Sequence, residues 1–102
     1  MKSTTNFETF DFIQYMSMDV LEELNDLEEL IEMGSSKGNE IRAQYNHINN
    51  LLHGIDYTLD YIADEEDREF LKKAVENMRE LLKSRYKVCE SLINQWKEEN
   101  LK

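Results

Sequence analysis

The sequence predicts an all-α protein, an antiparallel three-helix bundle with up-down-up topology, coiled-coil-like packing and a long third helix. The 102 residues include no proline and only three glycines, so the chain has few places to turn. Apolar residues recur at alternating spacings of three and four, as in amphipathic helices. The polar interruptions at residues 34–39 and 63–67 are short, so we expect successive helices to be antiparallel neighbours. The length predicts one domain, covering residues 1–102.

Helix 1 is predicted over about residues 6–33. Two pairs have the spacing of a capping box at a helix N-terminus: Thr5 with Glu8, and Asp19 with Glu22. The segment therefore forms either one helix or two pieces broken near Ser17. One bent helix is favoured, because the apolar spacing continues through Ser17 without a change of phase. The positions of this stripe are Phe10, Ile13, Ser17, Val20, Leu24, Leu27 and Ile31.

Helix 2, over about residues 39–62, has the most regular pattern of the chain, with Asn39 as the expected N-cap. Its apolar positions are Ile41, Tyr45, Ile48, Leu52, Ile55, Leu59 and Ile62. A second stripe consists of His47, Gly54, Tyr57 and Tyr61. We expect this second stripe to accept helix 1 or helix 3, since each helix of such a bundle packs on two neighbours. Gly54 costs about 1 kcal/mol relative to alanine inside a helix, which indicates close approach of a neighbour or a kink.

Helix 3 is predicted over about residues 64–100, and the acids at its start suit a helix N-terminus. Its stripe is interrupted by one arginine: Leu71, Val75, Met78, Leu82, Arg85, Cys89, Leu92 and Trp96. At 1.5 Å per residue helix 3 spans roughly 55 Å and helix 2 roughly 36 Å, so we expect helix 3 to project past the first connection. The projecting end carries four apolar candidates for partner binding: Val88, Leu92, Ile93 and Trp96. Pairing of two such ends predicts a homodimer.

The balance of charge disfavours several classes of protein. With 22 Asp and Glu against 12 Lys and Arg, the formal net charge is −10, so no basic surface is expected for direct nucleic-acid binding. The single cysteine, Cys89, cannot form an internal disulfide, which favours a cytoplasmic location. No run of about 18 apolar residues is present, so no membrane span is predicted.

Most of the excess negative charge lies in helix 1. Residues 1–36 hold nine acids and one base, and residues 19–32 hold seven acids and no base. Five of these acids form a stripe opposite the apolar positions, which we call the acid stripe: Asp19, Glu22, Glu23, Asp26 and Glu29.

Two interpretations of the acid stripe are open. In the first, helix 3 runs parallel to helix 1, and its bases form surface ion pairs with the stripe: Arg79, Lys83, Arg85 and Lys87. In the second, the stripe binds the basic surface of a partner protein, with electrostatic steering of association. Two of those bases have local acidic neighbours, Glu76 before Arg79 and Glu80 before Lys83, so we expect a surplus of unpaired acids.

Motifs that carry catalysis are lacking. The sequence has no glycine-rich phosphate loop, Cys-x-x-Cys, His-Glu-x-x-His or nucleophile elbow, so it predicts a non-enzymatic protein with no catalytic residue, cofactor or metal. His53 shares a helix face with Asp56 and Asp60. An ordinary exposed polar face is the favoured interpretation of this trio, because a further strong metal ligand is missing.

Two short segments resemble motifs of known families of small helical proteins. Arg42 and His47 resemble the Arg-x4-His motif of HEPN ribonucleases, which implies an RNA-cleaving site shared by two protomers, although Ala43 replaces a polar residue frequent in that family. Tyr86 and Glu90 resemble the Tyr-x3-Asp/Glu motif of type VII secreted helical-hairpin proteins, which implies a secretion partner. The Trp-x-Gly turn of the commonest members is missing.

The sequence therefore favours an acidic, non-enzymatic protein-binding module. Its most concrete form is an inhibitor of the antitoxin, immunity or phage counter-defence type that blocks a basic site on a partner protein. The predicted binding residues are the acid stripe and the apolar end of helix 3. The alternatives are a structural or adaptor bundle, such as a type VII secretion partner, and a HEPN-like ribonuclease.

Overall fold

The computed structural model describes the backbone of residues 2–101 and the side chains of residues 11–101. This part of the chain consists of helices joined by short connections and contains no strand. The elements are α1 (Lys2–Met33), a 3-10 turn (Ser35–Lys37), α2 (Gly38–Leu59), α3 (Glu65–Ser84) and α4 (Tyr86–Asn100). The all-α class is confirmed. The predicted count of three helices is wrong, because the described residues form four α-helices, with the predicted third helix divided at Arg85.

α1 is one continuous helix through Ser17, as its unbroken apolar phase predicts. The Ser17 hydroxyl donates to the Ile13 carbonyl oxygen, 2.8 Å away, which satisfies a polar group at a half-buried position. Asp19 and Glu22 lie inside α1 and do not begin a second helix, and the backbone of α1 begins at Lys2, earlier than predicted. Three residues of the predicted pattern have side chains outside the described range: Thr5, Glu8 and Phe10.

α2 is the central helix: it packs on α1, α3 and α4, and α1 also contacts α3 and α4 directly. Its fully buried positions are Ile41, Ile48, Leu52 and Ile55. The neighbouring helices contribute Ile13, Val20 and Leu27 from α1, Leu71, Val75, Met78 and Leu82 from α3, and Cys89 from α4. These side chains form one buried cluster, so the predicted apolar stripes are the core.

α2 runs antiparallel to both neighbours. The connection from α1 spans only residues 34–37, so α2 returns alongside α1. On the other side, Arg79 of α3 pairs with Asp56 near the end of α2. The ring of Tyr86 in α4 lies against Tyr45 near the start of α2, with centroids 6.0 Å apart.

The connection between α1 and α2 depends on Gly34. This residue has φ 89° and ψ −161°, a conformation essentially restricted to glycine. Its N–H donates to carbonyl oxygens in the last turn of α1. α2 then begins at Gly38, so the predicted N-cap Asn39 is wrong. Asn39 lies within the first turn of α2, and its Oδ1 accepts from Arg42 Nη2, 2.9 Å away.

The acids before α3 cap that helix, as predicted. α2 ends at Leu59, earlier than predicted, and Ile62 in the connection remains buried. Asp64 has an extended backbone, and its Oδ1 accepts from the Asp67 N–H, 3.0 Å away. Three further acids occupy the first turn of α3, where the exposed N–H groups of the helix favour negative charge.

The predicted third helix breaks at Arg85. The Ser84 hydroxyl donates to the Leu81 carbonyl oxygen, 2.7 Å away. The Arg85 N–H donates to Leu82, three residues back instead of four. Arg85 occupies a core position of the apolar pattern, where a buried charge would be costly, and the break lets its guanidinium reach the Glu28 carboxylate of α1. The phase of the stripe is unchanged, so α4 still packs on α2.

The predicted projection of the last helix is wrong. Trp96 packs on Gly38 at the start of α2, where a Cβ atom on Gly38 would lie 2.2 Å from Trp96 Cβ. The Ser35 hydroxyl in the connection donates to the Glu99 carboxylate, 3.4 Å away. α4 therefore ends beside the first connection. Its final turns lie against the 3-10 turn of that connection and do not project past it.

The second stripe of α2 faces solvent. Tyr57 and Tyr61 are 70% and 64% exposed. A Cβ atom on Gly54 would meet nothing within 4 Å. The expectation that helix 1 or helix 3 covers this stripe is wrong, because both neighbours pack on the side of α2 that carries its buried residues.

Cys89 lies in the first turn of α4 and is 2% exposed. Burial raises the pKa of its thiol, the Glu28 carboxylate raises it further, and the Arg85 guanidinium lowers it. The thiol is therefore protonated at neutral pH and is a poor nucleophile in the folded protein.

We expect the two glycines of α2 to respond in opposite directions to the same substitution. Gly38→Ala places a methyl group inside the Trp96 contact and should lower the free energy of unfolding by about 1–3 kcal/mol, as overpacking does. Gly54→Ala places it in open space and should raise that free energy by about 1 kcal/mol, since alanine favours helix. Urea unfolding followed by circular dichroism measures both. Equal effects of the two substitutions would contradict this packing.

We also expect Cys89 to react with a thiol reagent at neutral pH only after unfolding, because the folded chain buries a protonated thiol. The control is the same reagent in concentrated urea, where modification should be complete. Because the pKa is raised in the folded state, the contribution of this thiol to stability is present below its ordinary pKa. It is lost as the pH rises beyond that value, where the unfolded chain ionises first. Rapid modification of the native protein would contradict the burial.

Candidate functional site

Four residues of the acid stripe are exposed on the second half of α1: Asp19, Glu22, Asp26 and Glu29. The fifth, Glu23, is half-buried on the side toward α2. Its carboxylate and its backbone carbonyl oxygen both accept from Gln44 Nε2, the latter at 2.9 Å. On a helix, residues three or four apart are roughly 5–6 Å from each other, so the four exposed carboxylates form a row along α1.

The two arginines expected beside the acid stripe are engaged elsewhere. Arg79 pairs with Asp56 of α2 and not with its local neighbour Glu76. Arg85 pairs with Glu28, which lies on the flank of α1 outside the acid stripe. Both salt bridges join different helices, and their side chains are between 36% and 46% exposed. They hold helices together without neutralising the stripe.

Lys83 and Lys87 form no salt bridge in the part of the chain that the structure describes, and the predicted pair of Glu80 with Lys83 is absent there. Nor do the exposed acids of the stripe have a basic partner within residues 11–101. The first interpretation, in which helix 3 neutralises the stripe, is therefore not supported by the contacts. The predicted surplus of unpaired carboxylates is present.

An apolar group continues the outer side of α1 toward its N-terminus. Phe12, Tyr15 and Met18 are 51%, 67% and 61% exposed. They lie on a different side of α1 from the buried residues Ile13 and Val20, which face the core. We use the name α1 outer surface for these three apolar residues together with the four exposed acids of the stripe. It is apolar at one end and acidic at the other.

Sequence reasoning missed the apolar half of this surface. Apolar residues were expected only at core spacing, and Phe12, Tyr15 and Met18 fall between the core positions. The available signal was their mutual spacing of three, which places them next to one another on the helix but away from Ile13 and Val20.

The apolar end of the predicted third helix is mostly used inside the fold. Leu92 and Ile93 are partly buried and pack against the core cluster. Trp96 is half-buried on Gly38. Of the four predicted residues, Val88 is the exposed one, at 43%. A partner contact at this end stays a prediction, with one apolar side chain left free to make it.

The residues of the two family motifs occupy separate positions. Arg42 and His47 are both exposed, and their spacing of five places them about 140° apart around α2. They therefore do not converge on one point within a single chain. In α4, a hydrogen bond with the Glu90 carboxylate raises the pKa of Tyr86, so this pair has a local structural role.

Residues 11–101 contain no group of three or more His, Cys, Asp or Glu residues arranged to hold a metal ion. In the trio of His53, Asp56 and Asp60, the Asp56 carboxylate is engaged by Arg79. No helix of the described range has the length and apolar character needed to span a membrane.

The comparisons of this chain with known proteins give no relative from which a role could be carried over. No protein-family model, curated protein or solved structure matches it.

Proposed function

We propose that this chain is a non-enzymatic, acidic protein-binding module that blocks a basic site on a partner protein, as an inhibitor of the antitoxin, immunity or phage counter-defence type does. The observation that carries this proposal is the α1 outer surface. It joins a row of exposed carboxylates without basic partners in the described chain to a group of exposed apolar side chains.

The acidic half supports a basic partner on electrostatic grounds. Asp19, Glu22, Asp26 and Glu29 add their fields along one side of α1, and no base of the described residues pairs with them. Such a row steers a basic protein toward it and raises the association rate at low ionic strength. A cytoplasmic protein with a nucleic-acid-binding groove is one partner of that chemistry, because its groove is built to accept rows of negative charge.

The apolar half supports a protein partner over a free cation. Complete burial of a Phe or Met side chain contributes up to about 1.5–3 kcal/mol, and ionic screening, which weakens attraction between charges, does not reduce it. Phe12, Tyr15 and Met18 would therefore hold a complex that the carboxylates first attract. The partner that fits has a basic groove with an apolar pocket at one end.

An assembly role is the second candidate, and a separate observation favours it. The outer side of α2 is exposed and carries the aromatic side chain of Tyr57, with Tyr61 in the turn that follows, and the described residues leave both uncovered. A structural or adaptor bundle would use such a face. This role is compatible with the first candidate, because α1 and α2 expose different sides of the molecule.

Charge reversal tests the acidic half. The variant Glu22→Lys/Asp26→Lys/Glu29→Lys should weaken capture of the partner at least tenfold and remove its salt dependence, because attraction becomes repulsion. Tagged protein is incubated with lysate of the source organism at low and high salt, and bound proteins are identified by mass spectrometry. The matched control is Glu69→Lys/Glu76→Lys/Glu80→Lys, with the same change in net charge on exposed positions of α3. Equal loss in both variants, or no loss in the first, would contradict the proposal.

The apolar half is tested by removing one aromatic ring. Phe12→Ala should weaken capture about tenfold while the salt dependence stays, since a buried aromatic contact contributes more than 1 kcal/mol to such interfaces. Phe70→Ala is the control, because Phe70 of α3 has a comparable exposure, 62% against 51%. If Phe12→Ala binds like the parent protein, the carboxylates act alone and the apolar pocket is not needed.

A further inference from the structure

The outer face of α2 is a regular stripe of uncharged residues. Its members are Ala43, His47, Asn50, Gly54 and Tyr57, spaced alternately by four and three. All five are exposed, and so is Tyr61 in the turn that follows α2. No Asp, Glu, Lys or Arg occurs between Arg42 and Asp56, in a chain of which 33% is charged. A solvent-facing helix surface of this length is ordinarily rich in charge.

Gly54 at the centre of this stripe has no explanation within one chain. Among the described residues only Gly34 has a positive φ, so Gly54 is not required by backbone conformation. A Cβ atom on it would meet nothing within 4 Å, so it is not required by internal packing either. Glycine at such a position allows another helix backbone to approach closely.

We propose that a second copy of this chain packs on the outer face of α2, with the two α2 helices antiparallel and the two-fold axis at Asn50. The sizes of the side chains are self-complementary in this arrangement. His47 of one copy lies opposite Gly54 of the other, which has no side chain, and Tyr57 lies opposite the small Ala43. The two-fold symmetry repeats each of these contacts. The two Asn50 amides meet at the axis, where each offers a donor and an acceptor. A parallel pair would instead oppose Tyr57 to Tyr57 and Gly54 to Gly54.

Charge explains why a second copy fits this face. Each chain has a net charge of −10, so two copies repel each other in most orientations. The repulsion is smallest where the uncharged faces of the two copies meet. At the flank of the stripe the antiparallel arrangement is attractive. Arg42 near the start of α2 and Asp60, the residue that directly follows α2, lie on the same flank, and neither forms a salt bridge within the described residues. In the proposed dimer each Arg42 comes beside Asp60 of the other copy.

The interface differs from the one predicted at the end of helix 3, which the fold largely covers. It also leaves the α1 outer surface free, so its existence and the proposed inhibitor function can each fail without the other. The paired stripe runs from Ala43 to Tyr57, about 21 Å at 1.5 Å per residue, which is long enough for a helix-to-helix contact.

Sedimentation equilibrium over a concentration series tests the second copy. We expect the full chain to form a dimer of twice 12.2 kDa. Asn50→Lys places two like charges at the axis and should weaken the dimer at least tenfold. Asn77→Lys, the same substitution at an exposed position of α3, should leave it unchanged. Gly54→Ala should weaken the dimer while raising the thermal midpoint of the dissociated chain. A monomer at all concentrations, or equal effects of the two lysine variants, would overturn the proposal.

Disulfide trapping tests the antiparallel register. A mixture of Ala43→Cys and Tyr57→Cys chains should form a mixed disulfide on mild oxidation, and each variant alone should not, because only the antiparallel pair brings these positions together. Cys89 is buried and does not interfere. Trapping of each variant with itself, and not of the mixture, would overturn this arrangement.

The flank contact is tested by exchange of charge. Arg42→Asp opposes two carboxylates across the interface and should weaken the dimer. The double variant Arg42→Asp/Asp60→Arg should restore it, a result that a purely local role of Arg42 would not produce. Failure of the restoration while circular dichroism shows a folded chain would place the interface elsewhere.

Discussion

Burial of the apolar stripe of α2 between its neighbours is the interaction on which the remaining structure depends. Ile41, Ile48, Leu52 and Ile55 are fully buried. α1, α3 and α4 all pack on these residues, and α1 also contacts α3 and α4. Because each of these helices packs on α2, the orientation of each outer surface is fixed by the phase of its own buried stripe. α1 exposes the acids opposite Val20 and Leu27, since those two residues face the core.

The same arrangement determines which charges are free. Two arginines, one in α3 and one between α3 and α4, join helices: Arg79 pairs with Asp56 of α2, and Arg85 pairs with Glu28 of α1. Exposed pairs of this kind add little stability, about 0–1 kcal/mol each, so their main effect is to decide which carboxylates lack a partner. The carboxylates of the acid stripe are left over. The free acids are thus a property of the packing as much as of the composition.

The elements that depend on apolar periodicity could be predicted from the sequence, and those that depend on contacts between distant residues could not. The continuity of α1 through Ser17 follows from phase alone. The division at Arg85 does not, because the apolar phase continues across it and the Arg85 side chain pairs there with Glu28, far away in the chain. The packing of Trp96 on Gly38 likewise joins residues that are distant in sequence, and no local pattern indicates it. In the candidate site, the acid stripe could be predicted from the sequence, but the apolar residues that continue it could not. Apolar side chains between the core positions can be recognised as exposed only once the core is known.

The unpaired acids of α1 have a consequence for the folded chain itself. They lie three or four residues apart along one side of a helix that has no base in its last turn, and like charges at this spacing repel each other. The native state therefore carries an internal electrostatic repulsion that dissolved ions relieve by screening. Ionic strength then acts with opposite signs on the two properties of α1: it weakens attraction to a basic partner and relaxes the strain within the helix. In dilute salt, repulsion between these carboxylates destabilises the free molecule, and either counterions or a cationic partner would reduce that repulsion.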